Sequence, residues 1–356
     1  MPDGINPAIE GSRPSIEIAG QREGELTASM LRLDIVESEE GLARCALLFG
    51  NWGGPERPGF QYFDRQKLDF GKPLGVRLTD GGLFAGRIGA ITATYPDGGP
   101  PQVGVLAEDR LQDLRMTRRT RSFADATLAD VVRRIAQDHG LQAEVDLSGP
   151  RHRLLAQVNQ SDLAFLRDRA RHEDALVWAD DTTLRAAARS RRGGGTVELV
   201  WAGTLREFQV GADLAHQRTS LVASGWNVAD KQACRHEADE AAVRAELDGN
   251  DSGAAILRQA FGARPDTLAH GLPVDAGEAR LLAEAAMRHL ARRFVVGRGV
   301  ARTVPGLRVG ASVKLSGLGA LFDGSYTLTK VHHRFDAHRG LRTEFCCDRP
   351  WIGRET

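Results

Sequence analysis

Along most of this chain apolar residues recur at every second position, and in three stretches they recur at helical spacing instead. Alternation sends successive side chains to opposite faces of a strand, whereas a 3.6-residue recurrence keeps them on one helix face. The N-terminal part reads as strand. A short strand is predicted at 15–20. A hairpin follows over 30–50, where Leu31, Leu33 and Ile35 alternate, SEEG turns, and Ala43, Cys45, Leu47 and Phe49 alternate back. Residues 51–60 are rich in Gly and Pro and read as a loop. Alternation resumes over 75–78, 83–95 and 102–109. An antiparallel β-domain is therefore expected over 14–112, after a flexible lead at 1–13.

The period then changes. In 127–141, Leu128, Val131, Val132, Ile135 and Ala136 fall at helical spacing, with Thr127 and Asp130 set to cap the start and Gly140 to end it. A strand is predicted at 152–159, a second helix at 161–173 capped by Ser161, and a hairpin over 175–187 turning at Asp180 and Asp181. Residues 115–188 thus read as a compact α/β segment, with 190–195 as a linker. Strands return at 196–202, 205–211 and 219–228. From 231 to 299 the pattern is helical and polar. Its long helix, 276–295, is capped by Asp275 with Glu278 and carries a stripe of Leu282, Ala286, Leu290 and Phe294, read as core.

The last stretch, LFDGSYTLTKVHHRFDAHRGLRTEFCCDR over 321–349, alternates again. Thr327, Thr329, Val331, His333 and Phe335 share one parity, as do Leu341, Thr343, Phe345 and Cys347. A hairpin is expected, with a five-residue loop at 336–340 and Lys330, His332, Arg334, Arg342, Glu344 and Asp348 on the polar face. Neighbours on a strand diverge, so neither His332 with His333 nor Cys346 with Cys347 converges on one ion as a tetrahedral site requires. One His and one Cys are expected to face the core.

The chain also resembles itself. Residues 71–91 and 310–331 each run through Val-x-Leu (Val76 and Leu78; Val313 and Leu315) into Leu-Phe-x-Gly (Leu83, Phe84, Gly86; Leu321, Phe322, Gly324). Each continues through a long strand and a return strand ending at Arg110 or Arg349. Gly86 to Arg110 is 24 positions and Gly324 to Arg349 is 25. The ordered series predicts two copies of one β-fold, over 14–112 and over 196–230 plus 300–350, with helices inserted into the second. The expected fold class is β-rich α+β: two similar antiparallel β-barrels, a middle α/β domain and a helical insertion.

Composition narrows the function. The 47 basic and 47 acidic residues cancel, which argues against a nucleic-acid or anionic-membrane binder. The local clusters at 118–121 and 189–192 read as solvated linkers and turns. Four scattered cysteines outline no disulfide framework, and no apolar run is long enough to span a membrane. The N-terminus lacks the build of a signal peptide. No phosphate-binding loop, dinucleotide fingerprint, nucleophile elbow or zinc-protease motif appears. The acidic pairs Glu39-Glu40 and Asp180-Asp181 fall in turns and read as solvated; Glu173-Asp174 is the third. His139 and His172 fall at helix ends. No catalytic residue, cofactor or metal ligand is expected.

Several ordered stretches carry a family resemblance: FAGRIGAI (84–91), RRTRSFADATLADVVRRIAQDHGL (118–141), QVNQSDLAFLRDRARHE (157–173), VASGWNVADK (222–231), and the block from 297 to 345 ending in H…G-x-x-T-x-F. Together they resemble the VgrG and phage late-control-D family, hub proteins of contractile injection machines. Asn227 stands where that family commonly has Asp, and 150–160 lacks its aromatic. The resemblance implies a non-enzymatic homotrimer whose two tail-tube-like barrels per chain form a pseudo-sixfold ring. It implies as partners an inner tube protein, baseplate wedge proteins and a separate spike protein, with synthesis in the cytoplasm and assembly into a phage-tail-like particle. A cell-wall hydrolase of the same assembly, and a solitary carbohydrate- or peptide-binding β-protein, are the alternatives.

Overall fold

The computed structural model describes residues 13–53 and 58–354. Apart from Arg13, whose guanidinium donates to the carbonyls of Thr27 and Ala28, the lead expected at 1–13 lies outside those residues. Strands of three residues or more are numbered here in chain order. The first β-unit holds β1 (Ser15–Ile18), β2 (Met30–Ser38), β3 (Arg44–Gly50), β4 (Pro73–Leu78), β5 (Gly81–Thr94) and β6 (Gln102–Glu108). Their order across the sheet is β1-β4-β5-β6-β3-β2. A short helix, α1 (Gly24–Ser29), precedes β2 and was not expected.

The middle segment follows α2 (Leu111–Arg115). It contains β7 (Arg118–Ala126), α3 (Leu128–Asp138), β8 (Gln142–Asp146), β9 (His152–Ser161), α4 (Asp162–His172), β10 (Ala175–Asp180) and β11 (Thr183–Ala188). Helix α3 starts with the reciprocal bonds of a capping box between Thr127 and Asp130. It stops in a Schellman motif, Leu141 N–H on Ala136 C=O and Gly140 N–H on Gln137 C=O. Two expectations change. Arg118–Ala126 is a strand paired with β9, not a solvated turn, because Arg121 ion-pairs with Asp138 and Asp162. The β10–β11 turn lies at Asp181 and Thr182, with Asp180 paired to Thr183.

The second β-unit comprises β12 (Thr196–Val200), β13 (Leu205–Ala212), β17 (Val295–Ala301), β18 (Ser312–Ser316), β19 (Gly324–Asp336) and β20 (Gly340–Arg349), ordered β12-β18-β19-β20-β17-β13. Strand for strand in chain order, this is the topology of the first unit. One difference in pairing is that β12 runs parallel to β18 while β1 runs antiparallel to β4. Between β13 and β17 sits an insertion with its own core: β14 (Ser220–Asn227), β15 (Gln232–Asp239), α5 (Gly253–Phe261), β16 (Pro265–Thr267) and α6 (Ala276–Arg292). Residues 220–227, assigned by periodicity to the second barrel, pair instead with β15 and β16. Residues 232–239, read as helical, form a strand, and 295–301 belong to the main sheet. Helix α6 ends at Arg292. Its buried line runs through Ala279, Ala283 and Met287, with Leu282 beside it, while Ala286 and Leu290 are only partly covered. Phe294 is buried in the second unit's core, beyond the helix.

Two bulges correct the parity expected for the long strands. In β2, Leu31 bulges out and is 40% exposed, while Met30 takes the core position. In β19, the register slips at Thr329, so Tyr326 and Leu328 point inward before it and Val331, His333 and Phe335 after it. Thr327 and Thr329 are therefore not on the apolar face. The hairpin loop is three residues, since Asp336 pairs with Gly340.

Candidate assembly surface

The two β-units are one sheet. Residues Lys330 to Asp336 of β19 pair antiparallel with Ser38 to Arg32 of β2. The hairpin tip thereby leaves its own unit and enters the other: Phe335 and Leu341 are part of the first unit's core, against Leu33 and its neighbours. On the opposite face, His332 Nε2 lies 2.9 Å from Asp34 Oδ1, and Arg334 Nε is 3.2 Å from the same oxygen. Burial raises the Asp34 pKa, but bonds from Arg32 and His332 outweigh it and hold the carboxyl below its usual range. His333 turns inward, its Nδ1 2.8 Å from Thr343 Oγ1, and burial pushes its pKa down to about 4. The adjacent histidines do face apart, as do Cys346, half-buried, and Cys347, buried.

A second joint ties the middle segment to this sheet. The cluster at 189–192 is not wholly solvated: Arg189 and Arg192 are buried. Arg189 donates to Glu39 at 2.6 Å and to both oxygens of Asp348 at 2.9 and 3.1 Å. Arg192 bonds Glu37 at 2.6 Å, and Arg308 bonds the other Glu37 oxygen at 2.8 Å. Nearby, Arg292 bridges Asp174 and Glu246. Thus Glu39 and Asp174, members of acidic pairs, are structural counter-ions. Burial pushes the Asp348 carboxyl up to about 6, against the pull of Arg189. Such pairs survive burial only when hydrogen bonds satisfy both partners, which makes this joint specific in geometry. His139, at the end of α3, meets the buried Asp162 at 2.8 Å.

The repeat residues occupy related but offset sites. Val76 and Val313 are both fully buried, yet they are not equivalents. Leu74 pairs with Gly86 and Val76 with Phe84; Val313 pairs with Tyr326 and Leu315 with Gly324. By these pairings Val313 matches Leu74, Leu315 matches Val76, and Gly324 matches Phe84. Leu83 and Phe84 lie buried in β5, whereas Leu321 is 50% exposed and, with half-buried Phe322, sits in the turn before β19. Leu78 is half-buried. The motif match is thus displaced by two residues at Val313, Leu315 and Gly324. Gly86 has its own reason to be glycine: a Cβ there would meet the Glu108 carbonyl oxygen at 2.4 Å. Arg110 bonds Asp113. Arg349 is buried between the rings of Tyr326 and Trp351, its guanidinium donating to the carbonyls of Asp323 and Leu321.

The bulges give the true register. The β5–β6 ladder slips at Gly89 as β19–β20 slips at Thr329, and β13–β17 slips at Arg206 as β2–β3 slips at Leu31. Sequence reading found the strands but not these slips. It also passed over the exposed aromatics Trp52, Phe60 and Tyr95, which cluster with Phe63. Among the described residues no group of three or more His, Cys, Asp and Glu is set to hold a metal, and no helix is long and apolar enough to cross a membrane.

A family model, the Alg8 N-terminal domain, matches residues 75–337, about three quarters of the chain. The chain belongs to the Alg8 N-terminal domain family. Its fold is that of phage tail proteins. The 43 kDa tail protein of prophage MuSo2 from Shewanella oneidensis superposes with a TM-score of 0.70 at 12% identity, over 95% of this chain and 98% of that one. A tail protein from Neisseria meningitidis MC58 gives 0.64 at 14%, over 95% and 97%. The c3393 protein of E. coli, a type VI secretion component described as similar to T4 tail proteins gp27 and gp5, gives 0.58 at 13%, over 96% and 79%. No curated protein matches by sequence.

Proposed function

We propose that the chain is the structural hub of a contractile injection machine baseplate, a homotrimer joining a hexameric inner tube to a trimeric spike and contacting baseplate wedge proteins. The observation that carries this reading is the duplicated six-strand topology in one chain. Three chains then offer six similar surfaces to a six-subunit tube, while keeping threefold symmetry toward a spike. A trimer with one such unit per chain would leave half the tube's docking edges unpaired, and exposed strand edges promote aggregation. The tail-protein fold and the buried ion pairs that join the units support a mechanical role rather than a catalytic one. The test is a reconstruction of the particle that contains this chain. Three copies in a ring at the tube's base are expected. Six copies in the ring, or a position of the chain away from the tube's base, overturns the proposal.

A further inference from the structure

The chain's charges cancel overall, but they are not evenly spread. Where the two β-units meet beside the tip of the β19–β20 hairpin, a cleft of about 790 Å³ gathers six arginines against two carboxylates, Glu17 and Asp80. The first unit supplies Arg13, Arg22 and Arg77, the second Arg206 and Arg302, and the hairpin tip Arg339. The units touch close by, where a Cβ on Gly81 would meet Pro305 at 3.2 Å.

These cations are largely uncompensated. The Arg13 guanidinium donates to two backbone carbonyls and lies 5.2 Å from the centre of the Phe335 ring. Arg77 reaches Glu17 at 3.6 Å. Asp336, the carboxylate nearest in sequence to Arg339, is already taken by Arg342 and by the backbone N–H groups of His338 and Arg339. Among the described residues, Arg22, Arg206, Arg302 and Arg339 have no carboxylate within 4.0 Å. Exposed arginines elsewhere do find one, as Arg32 finds Asp34 and Arg191 finds Asp146.

An excess of four positive charges around a cleft focuses its field on anions, and guanidinium forks match carboxylates two bonds at a time. Among the described residues the lining holds no aromatic side chain on which a base could stack, the usual platform for single-stranded nucleic acid. The arginines are spread over three parts of the fold, in a volume far larger than one phosphate fills. Thr79 and Thr303 add hydroxyls able to bond a peptide backbone. We infer that the cleft binds an extended acidic segment of a partner protein, with Asp and Glu carboxylates on Arg206, Arg302 and Arg339.

The inference does not depend on how many copies form the ring. In the first test the purified full chain is titrated into a fluorescein-labelled oligoglutamate peptide at low salt, with anisotropy as the readout. Saturable binding is expected. Arg206→Glu/Arg302→Glu is expected to weaken it about tenfold or more, the loss of at least one charge-assisted bond. Arg339→Glu, on the exposed hairpin loop, is expected to weaken it several-fold. Arg133→Glu/Arg280→Glu changes the net charge as much as the first variant, at exposed helix positions, and is expected to weaken binding about twofold or less. Thermal melts verify that each variant is folded. No saturable binding, equal losses from the two double variants, or tighter binding of an oligothymidylate of the same charge overturns the proposal. In assembled particles, benzoylphenylalanine in place of the exposed Thr79 is expected to crosslink to a segment of another protein rich in Asp and Glu. Capture only of this chain, residues 1–12 included, or only of segments poor in Asp and Glu, overturns it.

Discussion

Replacing Arg189 by Met tests the joint between the middle segment and the sheet. The side chain satisfies Glu39 and Asp348 at once, from a position 5% exposed. Met fills similar volume, so the loss is electrostatic. Removing one partner of a buried pair costs about 3–5 kcal/mol. Asp348 is the partner that responds. Even with Arg189 present, burial lifts Asp348 to about 6 from 3.8, which at about 1.4 kcal/mol per unit is roughly 3 kcal/mol against its charged form. Without the guanidinium the folded pKa rises further. A carboxyl whose folded pKa lies above its unfolded value is harmless when protonated and loses stability as pH rises through the folded value. The deficit of the variant should therefore be small near pH 5 and full near pH 8. Thermal melts of wild type, Arg189→Met and Arg189→Met/Asp348→Asn at both pH values are the assay. A fall on the order of 10 °C is expected at pH 8, less than half of that at pH 5, and substantial recovery in the double variant. Asp109, also lifted to about 6 by burial, shifts all three proteins alike. A fall below about 2 °C at pH 8, or one equal at both pH values, refutes the reasoning.

Three further outcomes are expected. The His333 ring should titrate near 4 by NMR; its folded pKa is depressed, so its contribution is present above about 6.5 and is lost as pH falls toward 4, and a midpoint above 6 contradicts its burial. Met287→Ala should cost about 2–5 kcal/mol and Leu290→Ala less than half as much, because Met287 is fully buried while Leu290 is partly open; equal losses in denaturant melts restore the original stripe. Deleting Thr329 should prevent folding of the second unit, while Thr329→Ala costs under about 1 kcal/mol. Circular dichroism and proteolysis separate the two, and a well-folded deletion variant would show that the bulge is dispensable.

What could be read from the chain was local. Alternation located the strands around Cys45, Leu47 and Phe49 because one face is buried throughout. Thr127 and Asp130 announced their helix because capping is settled within four residues. The failures were all matters of partnership. Ser220–Asn227 alternates as a barrel strand would, and only its pairing with Gln232–Asp239 assigns it to the insertion. Arg118–Ala126 is polar on both faces, and its counter-ions arrive from Asp138 and Asp162. Arg189 and Arg192 look like solvated basic residues until Glu37, Glu39 and Asp348, about 150 residues away in either direction, close around them. The assembly surface was half legible: the repeat announced two copies, but their register depends on bulges that leave no sequence mark.

Those bulges explain why the copies diverged in one respect and not in another. A core position tolerates exchange among apolar residues of similar volume, so Leu74 can stand where the other copy has Val313, and Val76 where it has Leu315. A slip of one residue is different, because it carries every later side chain to the opposite face. In β19 the slip at Thr329 lets one strand serve two cores, with Tyr326 and Leu328 in the second unit and Phe335 in the first. Removing it would turn either the pair or Val331, His333 and Phe335 toward solvent, whichever half kept its place. Losing three buried side chains at about 1.5–3 kcal/mol each rivals the roughly 5–15 kcal/mol that holds a domain folded. Retention therefore falls on the positions of the irregularities, at 31 and 206 and at 89 and 329, rather than on residue identity. Gly89 and Thr329 share no chemistry, yet each marks the slip of its strand, and at Thr329 the slip lets one strand leave one core and enter the next.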